Sequence, residues 1–237
     1  MITSPANARL KLVRKLAARR QREKLGLFVC EGEDLVAAAL DAGIEPEEAL
    51  LDAERPALEE RLPGGERVAP DLLADVAGLA HPPRVLAIFR RADLPAGVDA
   101  PTGLALSRVG DPGNVGTLIR SADALGPAFV ALSPGCADPT GPKALRASMG
   151  AIFRVPLAAF DDAPRPWVGL MARAPQALRD VELGERVTFV LGAEREGLSS
   201  ATAASCDALA AIPISDRAES LNVAAAGAIA LYERAVR

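Results

Sequence analysis

The sequence predicts an α/β protein whose main domain is a parallel sheet covered by helices on both faces. From residue 103 onward, five strand-length apolar runs alternate with helix-length segments. Runs that are apolar on both sides are typical of strands buried between two helical layers. A stretch rich in Pro, Gly and Asp precedes them, which is typical of a boundary between domains. The chain of 237 residues is long enough for one or two domains with a proper core.

The first 24 residues predict an amphipathic helix with one positive face. Basic side chains recur at helical spacing and apolar ones share another side: Lys11, Lys15, Arg19 and Arg22 against Leu12, Val13 and Leu16. This segment carries a charge of +7, whereas residues 25–75 carry −11 and the remainder is neutral, for a formal total of −4. A positive helical face attracts phosphate backbones. The alternative is a solvated helix that pairs with the acidic stretch after it.

The rest of the small first domain is predicted to alternate strands and helices. A strand at residues 27–30 leads through a Glu-Gly turn into a helix that ends at Gly43. Apolar runs at residues 49–51 and 85–89 predict two further strands with a helix between them. The expected boundaries are residues 1–92 for the small domain, 93–102 for a linker and 103–237 for the main domain.

In the main domain, the five apolar runs predict five parallel strands. They lie at residues 103–107, 128–132, 167–171, 187–191 and 208–212. The carboxyl ends of parallel strands meet at one edge of the sheet, and sites form in the loops that leave this edge. We therefore expect the functional residues in these loops.

Five candidate site residues lie in three such loops, which cover residues 110–126, 189–198 and 212–223. The first loop is rich in glycine and opens a helix, with Asn114 near its start and Arg120 about two turns further on. Glycines let backbone amides approach an anion, and a helix N-terminus favours negative charge. Glu194 follows a glycine turn in the second loop. The third loop places Ser220 and Asn222 at the start of an Ala-rich helix.

Two conventional nucleotide sites are disfavoured by residues that the first loop lacks. A dinucleotide fingerprint needs Gly-x-Gly-x-x-Gly and an acidic residue at the end of the next strand. Here the glycines are Gly110, Gly113 and Gly116, and the next strand ends in Leu-Ser-Pro. A phosphate loop of the ATPase type needs Gly-Lys-Ser/Thr, but Thr117 follows Gly116 with no lysine between them. NAD binding and ATP hydrolysis are therefore not expected.

Neither a membrane span nor a metal site is expected. The longest nearly unbroken apolar stretch, at residues 221–232, has 12 residues and is too short to cross a bilayer. Charges interrupt the N-terminus every two or three residues, unlike in a signal peptide. The three cysteines are far apart and the single histidine is isolated, so metal-ligand spacing does not occur. We expect a cytoplasmic protein with buried, reduced thiols.

Taken in order, the three loops resemble the three motifs of the SpoU (TrmH-type) RNA ribose methyltransferases of the SPOUT class. The matching segments read DPGNVGTLIRSADALG, FVLGAEREGL and IPISDRAESLNVAAAGAIALYE. The segment KALRASMGAIFRVP matches the family between the first two motifs. Residues 2–36 are similar to the family's N-terminal RNA-binding domain, which itself resembles ribosomal protein L30e.

The resemblance implies an enzyme that transfers a methyl group from S-adenosylmethionine to a ribose 2′-hydroxyl of rRNA or tRNA. It implies a trefoil knot in the second half of the main domain, and a small L30e-like α/β domain that binds the RNA. The cofactor would contact Gly192, Ile212 and Leu221. The protein would be a homodimer, with the catalytic arginine of one subunit facing the cofactor of the other. The alternative is an RNA-binding protein of the same fold that lacks catalysis; an altered motif residue would favour it, and none is altered.

The resemblance implies a role for Arg120, and side-chain chemistry suggests roles for the other four loop residues, each of which could instead be a structural cap, turn or loop contact. The family gives the role of base to Arg120, but a guanidinium is protonated at neutral pH and is a poor base. It acts either as a strongly perturbed base or by holding the adjacent RNA phosphate bidentately. Asn114 suits orientation of the ribose or of Arg120. Glu194 can accept hydrogen bonds from Arg120 or from loop amides. Ser220 and Asn222 can bridge substrate and loop.

Overall fold

The protein is described by a computed structural model, and the description extends over residues 1–78 and 81–237. The small domain contains α1 (Ala8–Leu16), α2 (Arg19–Leu25), β1 (Leu27–Glu31), α3 (Glu33–Asp41), β2 (Glu48–Asp52), β3 (Glu66–Val68), α4 (Pro70–Val76) and β4 (Val85–Arg90). The strands form one sheet in the order β1–β4–β2–β3, in which β4 is antiparallel to both neighbours and β3 is parallel to β2. The three strands predicted for this domain are confirmed to within one residue at each end.

The small sheet is covered on both faces because its strands are apolar on both sides. On one face, Val29 and Ile88 pack in a core with Leu10 of α1 and Leu73 of α4. On the other face, the strands pack against α3 and against the second domain. The small domain thus has a core of its own on one side and a shared core on the other.

The prediction of a single N-terminal helix is wrong, because the chain bends between α1 and α2 and forms two helices. The Arg22 guanidinium donates to the carbonyls of Leu16 and Ala17, at 2.9 and 2.8 Å, and so satisfies the free C-terminal end of α1. It also donates to Asp138 at 2.8 Å. Arg22 is 5% exposed, so it does not belong to a positive outer face.

The main domain contains β5 (Thr102–Leu106), α5 (Pro112–Ala124), β6 (Ala128–Leu132), α6 (Pro142–Ser148), β7 (Leu157–Ala159), β8 (Trp167–Leu170), β9 (Gln176–Ala177), β10 (Val187–Leu191), α7 (Ser200–Ser205), β11 (Ala208–Ala211) and α8 (Val223–Ala235). All seven strands are parallel, in the order β7–β6–β5–β10–β8–β11–β9. The α/β class with a parallel main sheet is therefore confirmed, and the five predicted strands lie within one residue of their expected places. Three short strands, β3, β7 and β9, were not predicted.

The strand order reverses between β5 and β10, which are direct neighbours in the sheet. After β5 the chain adds β6 and β7 on one side of β5. The later strands, β8 to β11, all lie on its other side. Open α/β sheets bind ligands at such a switch point, in the crevice at the carboxyl ends of the strands. The first and second loops therefore start side by side at this edge.

The two sheets share one apolar cluster. Phe28 of the small sheet stacks with Phe89 at 5.9 Å and with Phe153, which follows α6, at 6.3 Å, and Phe89 contacts Phe153 in a tilted arrangement at 5.6 Å. At the margin of this cluster, Asp138 accepts from Arg22 at 2.8 Å and from Arg91 at 3.1 Å. Both ends of the Arg22–Asp138 pair are nearly excluded from water.

No helix among the described residues combines the length and the apolar character that crossing a membrane requires.

Candidate active site

Glu194 ties the second loop to the first. Its carboxylate accepts hydrogen bonds from the backbone amides of Gly110 and Asp111, at 3.1 and 2.9 Å, and from the Asn114 side chain at 3.0 Å. Burial on its own would raise the pKa of Glu194, but these hydrogen bonds together hold the pKa below its ordinary value. The carboxylate is therefore ionised at neutral pH and serves as an acceptor, not as a proton donor.

Asn114 ties the third loop to this pair. Its side-chain oxygen accepts from the Asn222 amide at 3.1 Å, while its own amide donates to Glu194. Asn222 is also the N-cap of α8, because its oxygen accepts from the amides of Ala224 and Ala225. All three loops thus meet in one chain of hydrogen bonds, Glu194–Asn114–Asn222.

The N-terminus of α5, the helix that carries Asn114, is capped by a residue that was not singled out in the sequence. Asp111 is the N-cap of α5. Its carboxylate accepts from the backbone N–H of Asn114 at 3.1 Å and pairs with Lys143 at 2.8 Å. The hydrogen bond from Lys143 is the main reason why the pKa of Asp111 lies below its ordinary value. Asp111 stands three residues before Asn114 and directly before a proline, which is a recognisable start signal for a helix.

The turn that presents Glu194 depends on Gly192. Ala193 and Gly197 exchange backbone hydrogen bonds of 3.1 and 2.9 Å and so close a tight turn around residues 194–196. A Cβ at Gly192 would lie 2.1 Å from the carbonyl carbon of Gly197. The glycine is therefore required for the approach of the two ends of this loop.

Arg120 and Ser220 lie outside the hydrogen-bonded chain. Arg120 faces solvent on α5, and within the described residues its guanidinium has neither a hydrogen bond nor an ion pair. Ser220 is exposed in the third loop and makes no recorded hydrogen bond to another described residue. Glu194 thus takes its hydrogen bonds from loop amides and Asn114, and not from Arg120.

A cavity of about 570 Å³ opens beside Glu194 and Asn222, at the carboxyl ends of β8, β10 and β11. Its lining includes the three residues expected to contact a cofactor, Gly192, Ile212 and Leu221, together with Ser220. Small-molecule sites have this size and combine apolar walls with a few polar groups. Residues 171–173, after β8, also line the cavity. They were not singled out in the sequence, although their place at a strand's carboxyl end was the available signal.

Two family models match the chain. Residues 101–232 match the SpoU rRNA Methylase family, and residues 7–87 match the MRM3-like substrate binding domain.

Relatives match over nearly the whole chain. The 23S rRNA (guanosine(2553)-2′-O)-methyltransferase RlmP of Bacillus subtilis is 31% identical, over 98% of this chain and 97% of its own length. A 23S rRNA (uridine(2479)-2′-O)-methyltransferase of Streptomyces viridochromogenes is 30% identical, over 92% and 85% respectively.

Solved structures agree with these matches. The SpoU methyltransferase AviRb from Streptomyces viridochromogenes, in complex with AdoMet, superposes with a TM-score of 0.84 at 28% identity, over 97% of both chains. An AdoMet-bound rRNA methyltransferase from Sinorhizobium meliloti gives a TM-score of 0.83 at 31% identity, over 98% of this chain and 95% of its own.

Proposed function

The chain belongs to the SpoU rRNA methylase family, and from that premise we propose how its residues carry out the family's reaction. It is an S-adenosylmethionine-dependent enzyme that methylates a ribose 2′-hydroxyl in rRNA or tRNA. We propose that Glu194, Asn114 and Asn222 build the frame against which the ribose is held. The observation that carries this proposal is the unbroken hydrogen-bonded chain through these three side chains at the rim of the cavity.

The residues of the cavity fit S-adenosylmethionine. Ile212 and Leu221 offer apolar surface to a purine ring, and the tight turn after Gly192 lines the same cavity with the polar residues Glu194, Arg195 and Glu196. When bound, the cofactor supplies a methyl group that is activated on a sulfonium. We propose that Gly192, Ile212 and Leu221 hold it, since all three line this one cavity.

The work left to the protein is mainly alignment, because methyl transfer is an in-line displacement by the ribose oxygen. Well-aligned reactants can account for roughly 7 to 11 kcal/mol of a barrier. In the proposed frame, the Asn114 side chain is fixed by Glu194 on one side and by Asn222 on the other, and both of these partners line the cavity. Ser220, exposed at the rim, is positioned to bridge the third loop and the substrate.

Arg120 is proposed to act on the RNA phosphate, not as the base. Its guanidinium is exposed and has no carboxylate partner among the described residues. A free guanidinium binds phosphate bidentately, and its positive charge favours the deprotonated form of a nearby hydroxyl. This role needs no deprotonated arginine.

We propose that the protein is a homodimer formed through α8. An exposed apolar stripe runs along this helix at Ala225, Ile229, Tyr232 and Val236. The α8 helix lies directly against α5, where Gly227 leaves room for Leu118. The stripe and Arg120 therefore lie on the same side of the sheet. A second copy docked on the stripe brings the Arg120 of one subunit towards the cavity of the other.

The small domain, residues 1–92, is proposed to bind the RNA, with residues 93–102 as linker and 103–237 as the catalytic domain. Basic side chains remain exposed on α1 and α2 at Lys11, Lys15 and Arg20. We place 23S rRNA first among the substrates to test, because the two relatives named above are 23S rRNA methyltransferases. We also propose a cytoplasmic location, because the three cysteines are unpaired and free thiols are typical of a reducing compartment. The trefoil knot stays a prediction.

The test is incubation of the protein with isotopically labelled S-adenosylmethionine and unmodified 23S rRNA, with tRNA as a second arm. Digestion to nucleosides and mass spectrometry should find the label in a 2′-O-methylated nucleoside. A base-methylated product contradicts the proposed frame for the ribose. Binding of cofactor and RNA without any product favours the alternative, a protein of this fold that lacks catalysis.

A further inference from the structure

The turn after β5 holds an arginine in a backbone conformation that usually belongs to glycine. Arg108 has a φ of +60°, in the left-handed region, and its amide donates to the Ser133 hydroxyl at 2.9 Å. Residues that carry a Cβ adopt this conformation at a cost in free energy. A glycine would fit this backbone without strain, so the side chain at position 108 calls for an explanation of its own.

The Arg108 side chain lies over the backbone of Gly135. A Cβ at Gly135 would be 3.4 Å from the Arg108 Cγ and 3.9 Å from its Nε, which is ordinary van der Waals contact, so the arginine stem runs alongside Gly135. Gly135 has a φ of +92°, which also favours glycine at this place. Two unusual backbone positions thus cooperate to place one guanidinium.

That guanidinium lines a second cavity, of about 540 Å³, on the first-loop side of Glu194. The lining includes Arg108, Gly110, Gly135, Glu194 and Arg195. Glu194 and Ala193 to Glu196 line both cavities, so the turn around Glu194 stands between them. The second cavity therefore adjoins the proposed ribose frame from the side away from the cofactor.

The acidic groups around Arg108 are mostly engaged by other donors. Glu194 already accepts three N–H groups, and Asp111 is paired with Lys143 and with the Asn114 amide. Glu196 is the remaining carboxylate at this cavity. Within the described part of the chain, the Arg108 guanidinium has no hydrogen-bond or ion-pair partner, so its N–H groups point to an external acceptor.

The loop that carries Gly135 also reaches the small domain. Its next residue, Cys136, accepts a hydrogen bond from Arg19 of α2 at 2.9 Å through the backbone carbonyl. Two arginines therefore contact successive residues of one loop. Arg19 of the small domain contacts Cys136, and Arg108 of the main domain contacts Gly135. This places basic groups along a short path between the two domains.

We propose that Arg108 binds a backbone phosphate of the RNA next to the target ribose, and that the second cavity is the channel for this strand. The inference rests on the proposed function, since the ligand is the RNA substrate of the same site. Arginine binds phosphate through two parallel hydrogen bonds, which fixes orientation as well as charge. Arg108 thus positions the strand from the side of Glu194 opposite the cofactor cavity.

The decisive variant is Arg108→Gly, because it removes the guanidinium and relieves the backbone strain together. We expect an unchanged melting temperature, since relief of strain offsets the added freedom of the unfolded chain. The apparent kcat/KM on in vitro transcribed 23S rRNA should fall about tenfold or more, mainly through KM. The slope of log affinity against log salt should become shallower by about 0.7 to 0.9. Arg108→Lys should recover part of the loss because it keeps the charge.

The matched control is Arg179→Ala, which removes an exposed arginine beside β9, away from both cavities. It should leave KM and the salt slope at their wild-type values. Wild-type KM and salt slope in Arg108→Gly would overturn the phosphate contact, as would a lower melting temperature with an unchanged slope. RNA binding is also measured directly by filter retention. Binding without methyl transfer by the wild type would contradict the proposed function, yet the comparison of Arg108 variants would still decide this inference.

Discussion

Arg120 shows how a residue can matter for a reaction and yet leave no trace in the packing of its own subunit. It stands outside both cavities and outside the Glu194–Asn114–Asn222 chain, and its side chain faces solvent. Its removal therefore costs the folded chain nothing that the structure reveals. What it contributes must come from contact with RNA or with a second subunit.

We predict that Arg120→Ala lowers kcat by about 10² to 10³, the usual loss when a positioned donor is removed from a reacting site. The melting temperature and the dissociation constant for S-adenosylmethionine should stay at their wild-type values. Scanning calorimetry measures the melting temperature, titration calorimetry measures the dissociation constant, and single-turnover methylation measures the rate. Equal loss in Arg179→Ala would show that any surface arginine matters and would contradict the assignment.

At the residue scale, the sequence singled out candidate site residues by their type and by their place in loops that follow strands. The structure joins Asn114, Glu194 and Asn222 of that set directly, and their role in the reaction stays a proposal. Arg22 was misplaced, because helical periodicity gives the face of a residue but not what packs against that face. Its partner Asp138 lies 116 residues away in the chain, and no local pattern announces it.

At the scale of elements, the pairing of α2 with the loop after β6 is the clearest test of how the domains are joined. Asp138 accepts from Arg22, Arg91 and Thr140. Burial would raise the pKa of Asp138, but the hydrogen bonds from Thr140, the charge of Arg91 and the hydrogen bond from Arg22 outweigh it and hold the pKa below its ordinary value. The ion pair is therefore intact at neutral pH.

We predict that Asp138→Asn lowers the free energy of unfolding at pH 7 by about 3 kcal/mol, because it leaves the Arg22 charge buried without a partner. A carboxylate with a lowered folded pKa stabilises the protein above the unfolded value, about 3.9, and loses that effect as the pH falls through the folded value. The difference between wild type and variant should hold from pH 5 to 8 and shrink below about pH 4. Urea unfolding at several pH values measures it.

Glu23→Ala serves as the control for that series. Glu23 pairs with Arg19 on the surface of α2, with both side chains about half exposed. Exposed pairs contribute little, so the loss should stay below about 1 kcal/mol. A loss in Asp138→Asn no larger than this would contradict the view that the buried pair holds the domains together.

The elements that sequence patterns predict well are those with long apolar runs. All five central strands of the main sheet were found because each is an apolar run of four or five residues, fully buried in β5 and β10 and only partly buried in β11. The missed strands, β3, β7 and β9, are two or three residues long and lie at sheet edges, so no periodicity builds up in them. The break between α1 and α2 falls at Ala17 and Ala18, which favour helix, so only the tertiary contact of Arg22 accounts for it.

At the scale of the whole molecule, the apolar stripe of α8 makes the proposed dimer testable. Ile229 and Tyr232 are 38% and 57% exposed on a helix whose opposite side is buried. Contiguous exposed apolar surface of this kind marks interaction sites on soluble proteins. A twofold dimer through this stripe pairs the helix with itself.

We predict that Ile229→Asp with Tyr232→Asp converts the protein into a folded monomer, because four charges would be buried in a twofold interface. Size-exclusion chromatography with light scattering gives the mass, and methylation should fall with it, since Arg120 would lose its opposite cavity. Leu25→Asp is the control, as Leu25 is 37% exposed on α2, far from this stripe in the chain. A wild-type protein that already runs as a monomer would contradict the proposal.

The shared cluster around Phe28, Phe89 and Phe153 holds the two domains at a fixed distance from each other. One end of this span is the basic surface of α1 and α2, and the other is the cavity rim at Glu194 and Asn222. Close-packed cores do not stretch gradually, so the span is set by the fold. In the proposed function, a fixed span of this kind would select a nucleotide by its distance from a second feature of the folded RNA. Target choice within this architecture can then change by repacking the interface, with the chemistry left untouched.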